Sequence, residues 1–350
     1  MEARRRAAIQ LLGPVALVLI VGIASAFVSA ENDIYFLDAL LAVAMVVSIY
    51  VFVGNSGVLS FGHISFVAVG AFGAGVMTIP LESKSSVLPD LFPILRDHTI
   101  GNVPSLILAA ILGAVLAFLI GLPLMRLSGL AASIATFAVL QIAYNVLSNW
   151  TQIGPGQTAL SLVPESTHGV QAVIGVVIVI VIAFAYQQSR FGRLLRASRE
   201  DAAAAEGVGV NVHRQRLWAF TLSGALAGFS GALYVHMLGS LLASSVYLDL
   251  TFLTLAMLVV GGATSLWGAT LGALVVSGLD SFLSQAESGV NVGFKLDIPQ
   301  GSTLVVLGAA MALMLILRPS GISGGREFGI PGMRRVIART PPTPTEGTAP

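Results

Sequence analysis

Long apolar segments recur along almost the whole chain, and they limit what it can fold into more than any other feature. A helix that crosses a bilayer needs about 20 mostly apolar residues, and its backbone polar groups must bond within the protein. The sequence therefore predicts an all-α, polytopic membrane bundle with about ten transmembrane helices. The predicted spans lie near residues 9–28, 36–53, 58–79, 103–122, 130–149, 170–187, 217–238, 248–263, 266–284 and 301–317.

The overall composition fits a membrane setting and excludes several classes of protein. Hydrophobic residues make up 55% of the chain and charged residues 10%, against about 25% charged residues in ordinary soluble domains. A net charge of +1 provides no field that would attract nucleic acid. Because the chain has no cysteine, disulfides, thiolate metal sites and cysteine nucleophiles are excluded. We expect membrane lipid around the chain, no nucleic-acid partner and no metal site.

The arginines predict how the chain is oriented in the membrane. They precede the first span, follow the fourth and the last, and cluster between the sixth and seventh. Arginine favours the cytoplasmic side, so both termini are predicted there and segments 80–102 and 150–169 outside. The N-terminus imitates a secretory signal peptide. We nevertheless expect an uncleaved first helix, because an even number of spans requires it.

The chain divides into a membrane domain and a tail. Residues 1–325 hold all the predicted spans and form the transmembrane domain. Residues 326–350 end in the Pro/Thr-rich sequence TPPTPTEGTAP, which cannot bury a core. This tail is predicted to be cytoplasmic and disordered.

The segment between the sixth and seventh spans, about residues 189–213, has the pattern of a docking surface. Arginines recur at every third position from Arg190 to Arg199, and an acid–alanine–glycine stretch follows them. Such a charged helix–turn–helix suits a groove on a soluble partner better than it suits catalysis. The alternative is an ordinary cytoplasmic loop, which would explain the arginines but not the acid–alanine–glycine pattern.

Two spans carry polar residues that lipid contact alone would not select. The segment 54–75 contains six glycines together with Ser60, His63 and Ser65, and it could serve either close helix packing or the lining of a pore. For His63 packing is favoured over pore lining. A proton-relay role is disfavoured, because no acidic partner lies nearby in the sequence. In the fifth span Gln141 and Asn145 are four residues apart and share a helix face. They could line a path or make an interhelical hydrogen bond, worth about 0.6 kcal/mol.

Other classes of transporter and enzyme find no support in the sequence. No predicted span centre contains Lys, Arg or Glu, which argues against an ion-coupled pump or a voltage sensor. The G-x-x-x-x-G-K-[ST] and H-E-x-x-H motifs are missing, so the chain offers neither a P-loop for ATP nor that zinc-protease site. We expect a transport subunit rather than an enzyme.

Four separated segments resemble one family of membrane proteins. The second of them is the most specific, and the resemblance covers most of residues 30–325. The segments are GNSGVLSFGHISFVAVGAF from Gly54, LRASREDAAAAEGVGVNVHRQRLWAFTLSGALAGFSGAL from Leu195, VVGGATSLWGATLGALV from Val259 and LRPSGISG from Leu317. With them the chain resembles the permease subunit of a branched-chain amino-acid ABC importer of the Liv type, most like the M-type subunit.

The resemblance implies an assembly in the inner membrane of a bacterium. A second, homologous permease would complete the pore, two cytosolic ATPase subunits would hydrolyse ATP with Mg, and an extracytoplasmic binding protein would deliver the solute. No cofactor would bind this chain itself. The implied ATPase-coupling residues are Arg196, Arg199, Glu200, Asp201, Ala205, Gly207 and Gly209. The translocation pathway is expected to include Ser60, Gly62, His63, Ser65, Thr136, Gln141 and Asn145.

The solute and several alternatives stay open from the sequence. In Leu127–Gly156, Ser133 or a neighbour replaces the family's tyrosine, and Ile153–Gly156 replaces a Thr-Gly-Gly turn. Besides branched-chain or other small amino acids, related permeases carry urea or short amides. The other classes are an ATP-independent secondary transporter or channel and a non-transporting structural subunit.

The fold is also expected to contain an inverted repeat, with spans two to five echoing seven to ten. The fragments Ser60–Gly62 and Ser265–Gly268 are the only hint of it in the sequence.

Overall fold

The computed structural model describes residues 2–27, 30–127, 129–287, 302–318 and 320–327. Within these ranges the regular secondary structure is helical, and the one β-bridge is an isolated pair between Leu160 and Leu241. A 3₁₀ turn, η1 (Ala243–Val246), precedes the twelfth α-helix. The α-helices are α1 (Glu2–Ser25), α2 (Ala30–Ser56), α3 (His63–Thr78), α4 (Leu81–Val87), α5 (Pro93–Arg96), α6 (Asn102–Leu124), α7 (Gly129–Asn149), α8 (Gly169–Gln188), α9 (Arg190–Glu200), α10 (Ala202–Gly207), α11 (Val212–Leu238), α12 (Leu248–Gly261), α13 (Leu266–Glu287) and α14 (Ser302–Leu317).

The predicted all-helical, multi-pass class is confirmed, and a helix lies at the position of each predicted span. Seven helical stretches among the described residues are long and apolar enough to cross a bilayer: α2, α6, α7, α8, α11, α13 and η1 with α12. The apolar parts of α1, α3 and α14 are shorter. The count of ten membrane crossings and the placement of both termini therefore stay predictions.

The third predicted span differs from its helix at one end. The predicted span begins near residue 58, but α3 begins only at His63. Gly57 turns the chain out of α2 with a φ of +72°, a conformation that glycine adopts without strain. The non-helical stretch 57–62, called the 57–62 linker below, follows. Its Val58, Leu59 and Phe61 keep the hydropathy high, which is why the sequence pattern did not separate it from the span.

The helices α2 and α11 form the centre of the bundle. Of the α2 span, 83% is buried, as expected for a helix that is apolar on all sides. The α11 helix is less apolar and packs by means of small residues instead. A Cβ on Gly70 of α3 would overlap the backbone of Gly228, and one on Gly113 of α6 would overlap that of Gly224. Such close approach of helix backbones is typical of membrane bundles.

The central helix of each half of the chain packs against the helices of the other half. The N-terminal half contains α2, α3 and α6, and the C-terminal half contains α11, α12 and α13. The α2 helix packs against α12 and α13, whereas α11 packs against α3 and α6. Both α2 and α11 have 27 residues, and both are followed by a left-handed glycine, Gly57 and Gly239. After each glycine comes a linker and then a short helix, α3 with 16 residues and α12 with 14. The linker after Gly57 is non-helical, whereas the one after Gly239 contains η1.

These parallels support the predicted inverted repeat, which would pair α2, α3, α6 and α7 with α11, α12, α13 and α14. The two sequence fragments that hinted at the repeat do not contribute to this support. Ser60–Gly62 precedes α3, while Ser265–Gly268 lies at the start of α13, and in this pairing α3 corresponds to α12. The repeat itself stays a prediction.

A compact segment of residues 79–101 follows α3 at the end of the bundle away from α9. Lys84 holds it together, because its buried Nζ donates to the carbonyl oxygens of Leu95 and His98, at 2.7 Å each. This burial lowers the pKa of the Lys84 ammonium below its usual value. The backbone N–H of Ile100 donates to the carbonyl of Met77 at 2.9 Å and ties the segment to α3.

The segment 320–327 packs into the end of the bundle that carries α9. The backbone N–H groups of Ile322 and Ser323 donate to the carbonyls of Val260 and Gly261, at 2.8 and 3.0 Å. The Ser265 hydroxyl donates to the carbonyl of Arg326 at 3.0 Å. Packed structure thus continues at least to residue 327, two residues into the predicted tail. Residues 328–350 of that tail lie outside the described residues.

Candidate functional site

The α9 helix lies across the end of the membrane helices rather than continuing α8. Ser189 separates the two helices and caps α9, since its hydroxyl accepts a hydrogen bond from the backbone N–H of Gly192 at 3.2 Å. Gly192 sits against the carbonyl of Tyr186, where a Cβ would overlap the backbone. Leu195 and Ser198 are buried. The helix is therefore held firmly against the bundle.

The arginines of α9 divide into two groups with different roles. Arg196 Nε donates to Asn55 Oδ1 at 2.7 Å, and Arg199 Nη1 donates to the carbonyl of Gly54 at 3.1 Å. Both cations therefore lie at the C-terminus of α2, where the helix dipole favours positive charge. Arg190 and Arg193 are exposed instead. Arg196 and Arg199 tie α9 to α2, and the exposed pair remains available to a partner.

The α10 helix projects outward as a small knob. Asp201 caps it by accepting the backbone N–H of Ala204 at 2.9 Å. Gly209 ends the turn with a φ of +85°, where a side chain would be strained. Ala205 is 7% exposed and faces the bundle, whereas Val208 at the tip is 81% exposed. An exposed valine among small residues fits a shallow groove on another protein.

The structure brings the predicted coupling residues together in α9, α10 and the turn after them. We call these elements, Arg190–Gly209, the coupling surface. Glu200 is exposed and pairs with Arg199 at 2.8 Å, and Gly207 and Gly209 are exposed as well. Arg196, Arg199 and Ala205 face the chain's own helices. The sequence interpretation missed Val208, although an apolar residue between two glycines in a polar loop was a usable signal.

The predicted pathway residues at the start of α3 lie inside the bundle. His63 is 1% exposed, and its ring lies 5.3 Å from that of Phe220 and 5.6 Å from that of Phe52. Neither ring nitrogen makes a hydrogen bond of ordinary geometry, although the Ser60 backbone is close enough to interact with the imidazole. This environment agrees with the packing interpretation of His63.

The neighbours of His63 are enclosed in the same way. Ser60 and Ser65 are buried, and the Ser65 hydroxyl donates to the carbonyl of Gly62 at 2.5 Å. A Cβ on Gly62 would come within 2.6 Å of the carbonyl oxygen of Thr136. Within this chain, Ser60, Gly62, His63 and Ser65 thus form a packed joint. They do not lie on an open surface.

Thr136 is also enclosed, and it faces the 57–62 linker. Its hydroxyl accepts the backbone N–H of Phe61 at 3.1 Å and donates to the carbonyl of Ser133 at 2.8 Å. The Ser133 hydroxyl donates to the carbonyl of Leu59 at 2.8 Å. These two side chains fasten α7 to the linker.

Gln141 and Asn145 behave differently, because both are exposed on α7. The Asn145 amide donates to the Gln141 carbonyl at 2.8 Å, and the Asn149 amide donates to the Asn145 carbonyl at 2.9 Å. Tyr144 stacks on Tyr247 with ring centroids 4.1 Å apart, and the Tyr247 hydroxyl donates to Gln141 Oε1. Gln141, Tyr144, Asn145 and Asn149, together with Tyr247, are called the polar face of α7 below.

The polar face of α7 is not suited to lipid contact. Amide side chains within membrane spans turn towards other helices or water, yet only 28% of the α7 span is buried within this chain. Either another protein or a water-filled path must therefore cover this face. Tyr247 was not predicted from the sequence. It precedes α12 and reaches α7 only through the packing of two helices that are far apart in the chain.

An apolar cleft lies on another side of α7, between that helix, α3 and α6. Its volume is about 920 Å³, and its lining has no polar side chain. Phe72, Leu112 and Val146 are among the residues that line it. The cleft offers no hydrogen bond to a polar solute, which leaves the polar face of α7 as the better candidate for contact with one.

Comparison with known proteins agrees with these features. The sequence model of the family described as the permease component of branched-chain amino acid transport systems matches residues 33–315. The chain belongs to this family. No solved structure matches the chain.

Several permeases are similar to this family member over much of its length. The chain is 27% identical over 306 residues to the high-affinity branched-chain amino acid transport system permease protein LivM of Escherichia coli, covering 78% of this chain and 65% of that protein. It is 24% identical over 315 residues to the probable LivM permease of Methanocaldococcus jannaschii, covering 81% and 90%. The autoinducer 2 import system permease LsrC of Klebsiella pneumoniae is 30% identical over 164 residues, covering 43% and 47%. The chain thus spans about two thirds of the length of the E. coli relative.

Proposed function

We propose that this chain is the membrane subunit of an ATP-driven importer that moves branched-chain or other small amino acids into a bacterial cell. In this assembly a second homologous permease completes the pathway, and two cytosolic ATPase subunits bind ATP and Mg. An extracytoplasmic binding protein delivers the solute. Membership of the permease family supports the general function. The observation that carries the proposal is the outward knob of α10, built on a helix that is tied to the bundle.

The coupling surface has the properties that an energy-transmitting contact needs. Val208, Glu200 and the exposed arginines Arg190 and Arg193 are available to a partner. Behind them, Arg196 and Arg199 connect α9 to α2 through short hydrogen bonds. A movement of a bound ATPase would therefore be passed to the bundle as the displacement of a packed element.

The polar face of α7 is the proposed solute-facing part of the pathway. Gln141, Asn145 and Tyr247 offer amide and hydroxyl groups, and this face has no ionisable acid or base other than tyrosine. Such a surface suits a neutral or zwitterionic solute that must pass rather than remain bound. Thr136 lies on the buried side of α7 and does not belong to this face. The packed contact between α3, the 57–62 linker and α7 contains the other predicted pathway residues, Ser60, Gly62, His63 and Ser65.

The identity of the solute has an alternative besides branched-chain or other small amino acids. The partial similarity to an autoinducer 2 import permease supports considering a solute other than an amino acid. An ABC permease for urea, short amides or another such solute would use the same two surfaces. A channel or secondary transporter would not need the coupling surface.

The proposal is tested by purifying the tagged full-length chain from its native host in mild detergent. We expect an ABC ATPase and a second permease to co-purify, identified by mass spectrometry and by vanadate-sensitive ATP hydrolysis. A Val208→Asp variant should retain the permease partner, but the amount of ATPase that co-purifies should fall by about tenfold or more. The reason is that a charge buried at the contact would oppose docking. The control Leu81→Asp places the same charge on an exposed apolar residue at the other end of the bundle and should retain both partners.

The contrary outcome is as informative. A chain that purifies as a stable homo-oligomer without an ATPase would refute the importer assignment and favour a channel or secondary carrier. If the assembly is recovered, measuring which solute stimulates its ATPase through the co-purified binding protein identifies the substrate.

A further inference from the structure

The 57–62 linker lies between the two surfaces of the proposed function and contacts elements of both. We propose that this linker is the mechanical connection between the coupling surface and the polar face of α7, with Ser133 and Thr136 acting as positioning residues. The inference rests on the proposed coupling function and assigns a route within it. Neither residue is proposed to contact the solute.

On one side, the linker and the end of α2 are held by α9. Arg199 donates to the carbonyl of Gly54 at 3.1 Å, and Arg196 donates to the side chain of Asn55 at 2.7 Å. The aliphatic part of Arg199 also covers Gly57, where a Cβ would come within 2.6 Å of Arg199 Cγ. A shift of α9 therefore acts directly on the first residue of the linker.

On the other side, the linker is bonded to α7. Ser133 donates to the carbonyl of Leu59, and Thr136 accepts from the backbone N–H of Phe61. Gly62 lies so close to the backbone of Thr136 that no side chain fits between them. Together these contacts cover the linker from its third residue to its last.

The two ends of this connection differ in how firmly they are held. The α2 span is 83% buried, whereas the α7 span is 28% buried. Among the described residues, the side-chain hydrogen bonds that join α7 to other elements go to the linker and to Tyr247. Within this chain, α7 therefore has fewer contacts than α2 to resist a displacement of the linker. The polar face begins at Gln141, little more than one turn beyond Thr136.

The test uses the purified assembly with its own ATPase and binding protein, reconstituted in liposomes. Thr136→Val removes the hydroxyl at nearly constant volume, and Ser133→Ala removes the bond to Leu59. We expect both variants to keep ATP hydrolysis and to lose solute uptake per ATP by about tenfold. Thr254→Val is the matched control, because the buried Thr254 hydroxyl bonds only within α12, to Leu250 at 2.7 Å and to Thr251 at 3.1 Å. It should retain coupled uptake.

A second measurement follows the movement of α7 itself. The natural chain lacks cysteine, so Ala138→Cys, on the exposed side of α7, provides the only thiol of this chain for a water-soluble maleimide. Its labelling rate should differ between the nucleotide-free and the vanadate-trapped assembly. Thr136→Val should abolish that difference while the assembly keeps its ATP hydrolysis, a combination that an unfolded variant would not show.

The outcomes separate the route from the function on which it rests. Two results would overturn the proposed route while leaving the importer intact. One is wild-type uptake per ATP in both Ser133→Ala and Thr136→Val, and the other is an unchanged nucleotide dependence of labelling at position 138 in Thr136→Val. Uptake by the wild-type assembly that does not depend on ATP would refute the proposed function instead. If Thr136→Val fails to assemble, Ser133→Ala decides, since Ser133 is only partly buried.

Discussion

At the scale of single residues, Glu327 connects three parts of the chain. Its carboxylate accepts the backbone N–H groups of Leu266 and Trp267, at 3.1 and 3.3 Å, and the side-chain amide of Gln187 at 2.7 Å. The first two are donors at the start of α13 that have no partner within that helix. A negative charge at a helix N-terminus is also favoured by the helix dipole. One carboxylate from beyond α14 thus secures α8 and α13.

Replacing Glu327 with glutamine should measure the contribution of this charge. We expect Glu327→Gln to lower the free energy of unfolding by about 1 kcal/mol, because a neutral amide oxygen is a weaker cap than a carboxylate. Thermal unfolding of the purified chain in detergent would show the loss. Asp90→Asn, at an exposed position, should change stability by less than about 0.5 kcal/mol. Equal stability of both variants would mean that Glu327 does not cap α13.

At the scale of elements, glycine decides how closely α3 and α6 approach α11. Gly70 meets the backbone of Gly228, and Gly231 meets that of Val67. The neighbouring atoms belong to backbone, so they cannot turn aside as a flexible side chain can. The contact between α3 and α11 therefore has little tolerance for added volume.

Adding one methyl group at this contact should separate the helices. Gly70→Ala is expected to destabilise the protein by about 1–3 kcal/mol, although alanine is the better helix former. The matched control is Gly278→Ala in α13, where a Cβ would meet nothing within 4 Å. That variant should be neutral or slightly more stable. Chemical unfolding would measure the free energy of unfolding of both variants. An unchanged free energy of unfolding in Gly70→Ala would contradict the tight contact.

The sequence predicts these elements well but not the contacts between them. Hydropathy locates the spans because a membrane helix is apolar along its whole length, whatever it packs against. Hydropathy does not indicate which neighbouring helix a given side chain contacts. Arginines at every third position drift by about 60° per step around a helix, so the four arginines of α9 cannot share one face. Arg199 points to α2 while Arg190 is exposed. The pairing of Tyr247 with Gln141 joins residues 106 positions apart, and no local pattern encodes it.

At the scale of the whole molecule, the two ends of the bundle differ in charge and in structure. One end carries the coupling surface and its arginines. The other end carries segment 79–101, which Lys84 holds together, and the stretch between α7 and α8. That stretch contains neither lysine nor arginine. Arginine-rich ends of membrane proteins face the cytoplasm. This asymmetry supports the predicted orientation, with α10 inside the cell.

The orientation is tested by labelling single cysteines in intact spheroplasts. Ser85→Cys and Ala203→Cys both lie at exposed positions, one near Lys84 and the other on α10. A membrane-impermeant maleimide should label the Ser85→Cys variant in intact spheroplasts and the Ala203→Cys variant only after permeabilisation. The reverse pattern would invert the topology and refute the proposed ATPase contact with α10.

The packing of each central helix against the other half has a consequence for biosynthesis. The α2 helix leaves the ribosome early, but its packing partners α12 and α13 follow only about 190 residues later, which is about 10–40 s at ordinary translation rates. During that interval its apolar surface must be shielded by lipid, by earlier helices or by the insertion machinery. A nascent chain that stops before α12 would therefore leave α2 incompletely enclosed. Quality control could recognise this exposed helix as the mark of an unfinished protein.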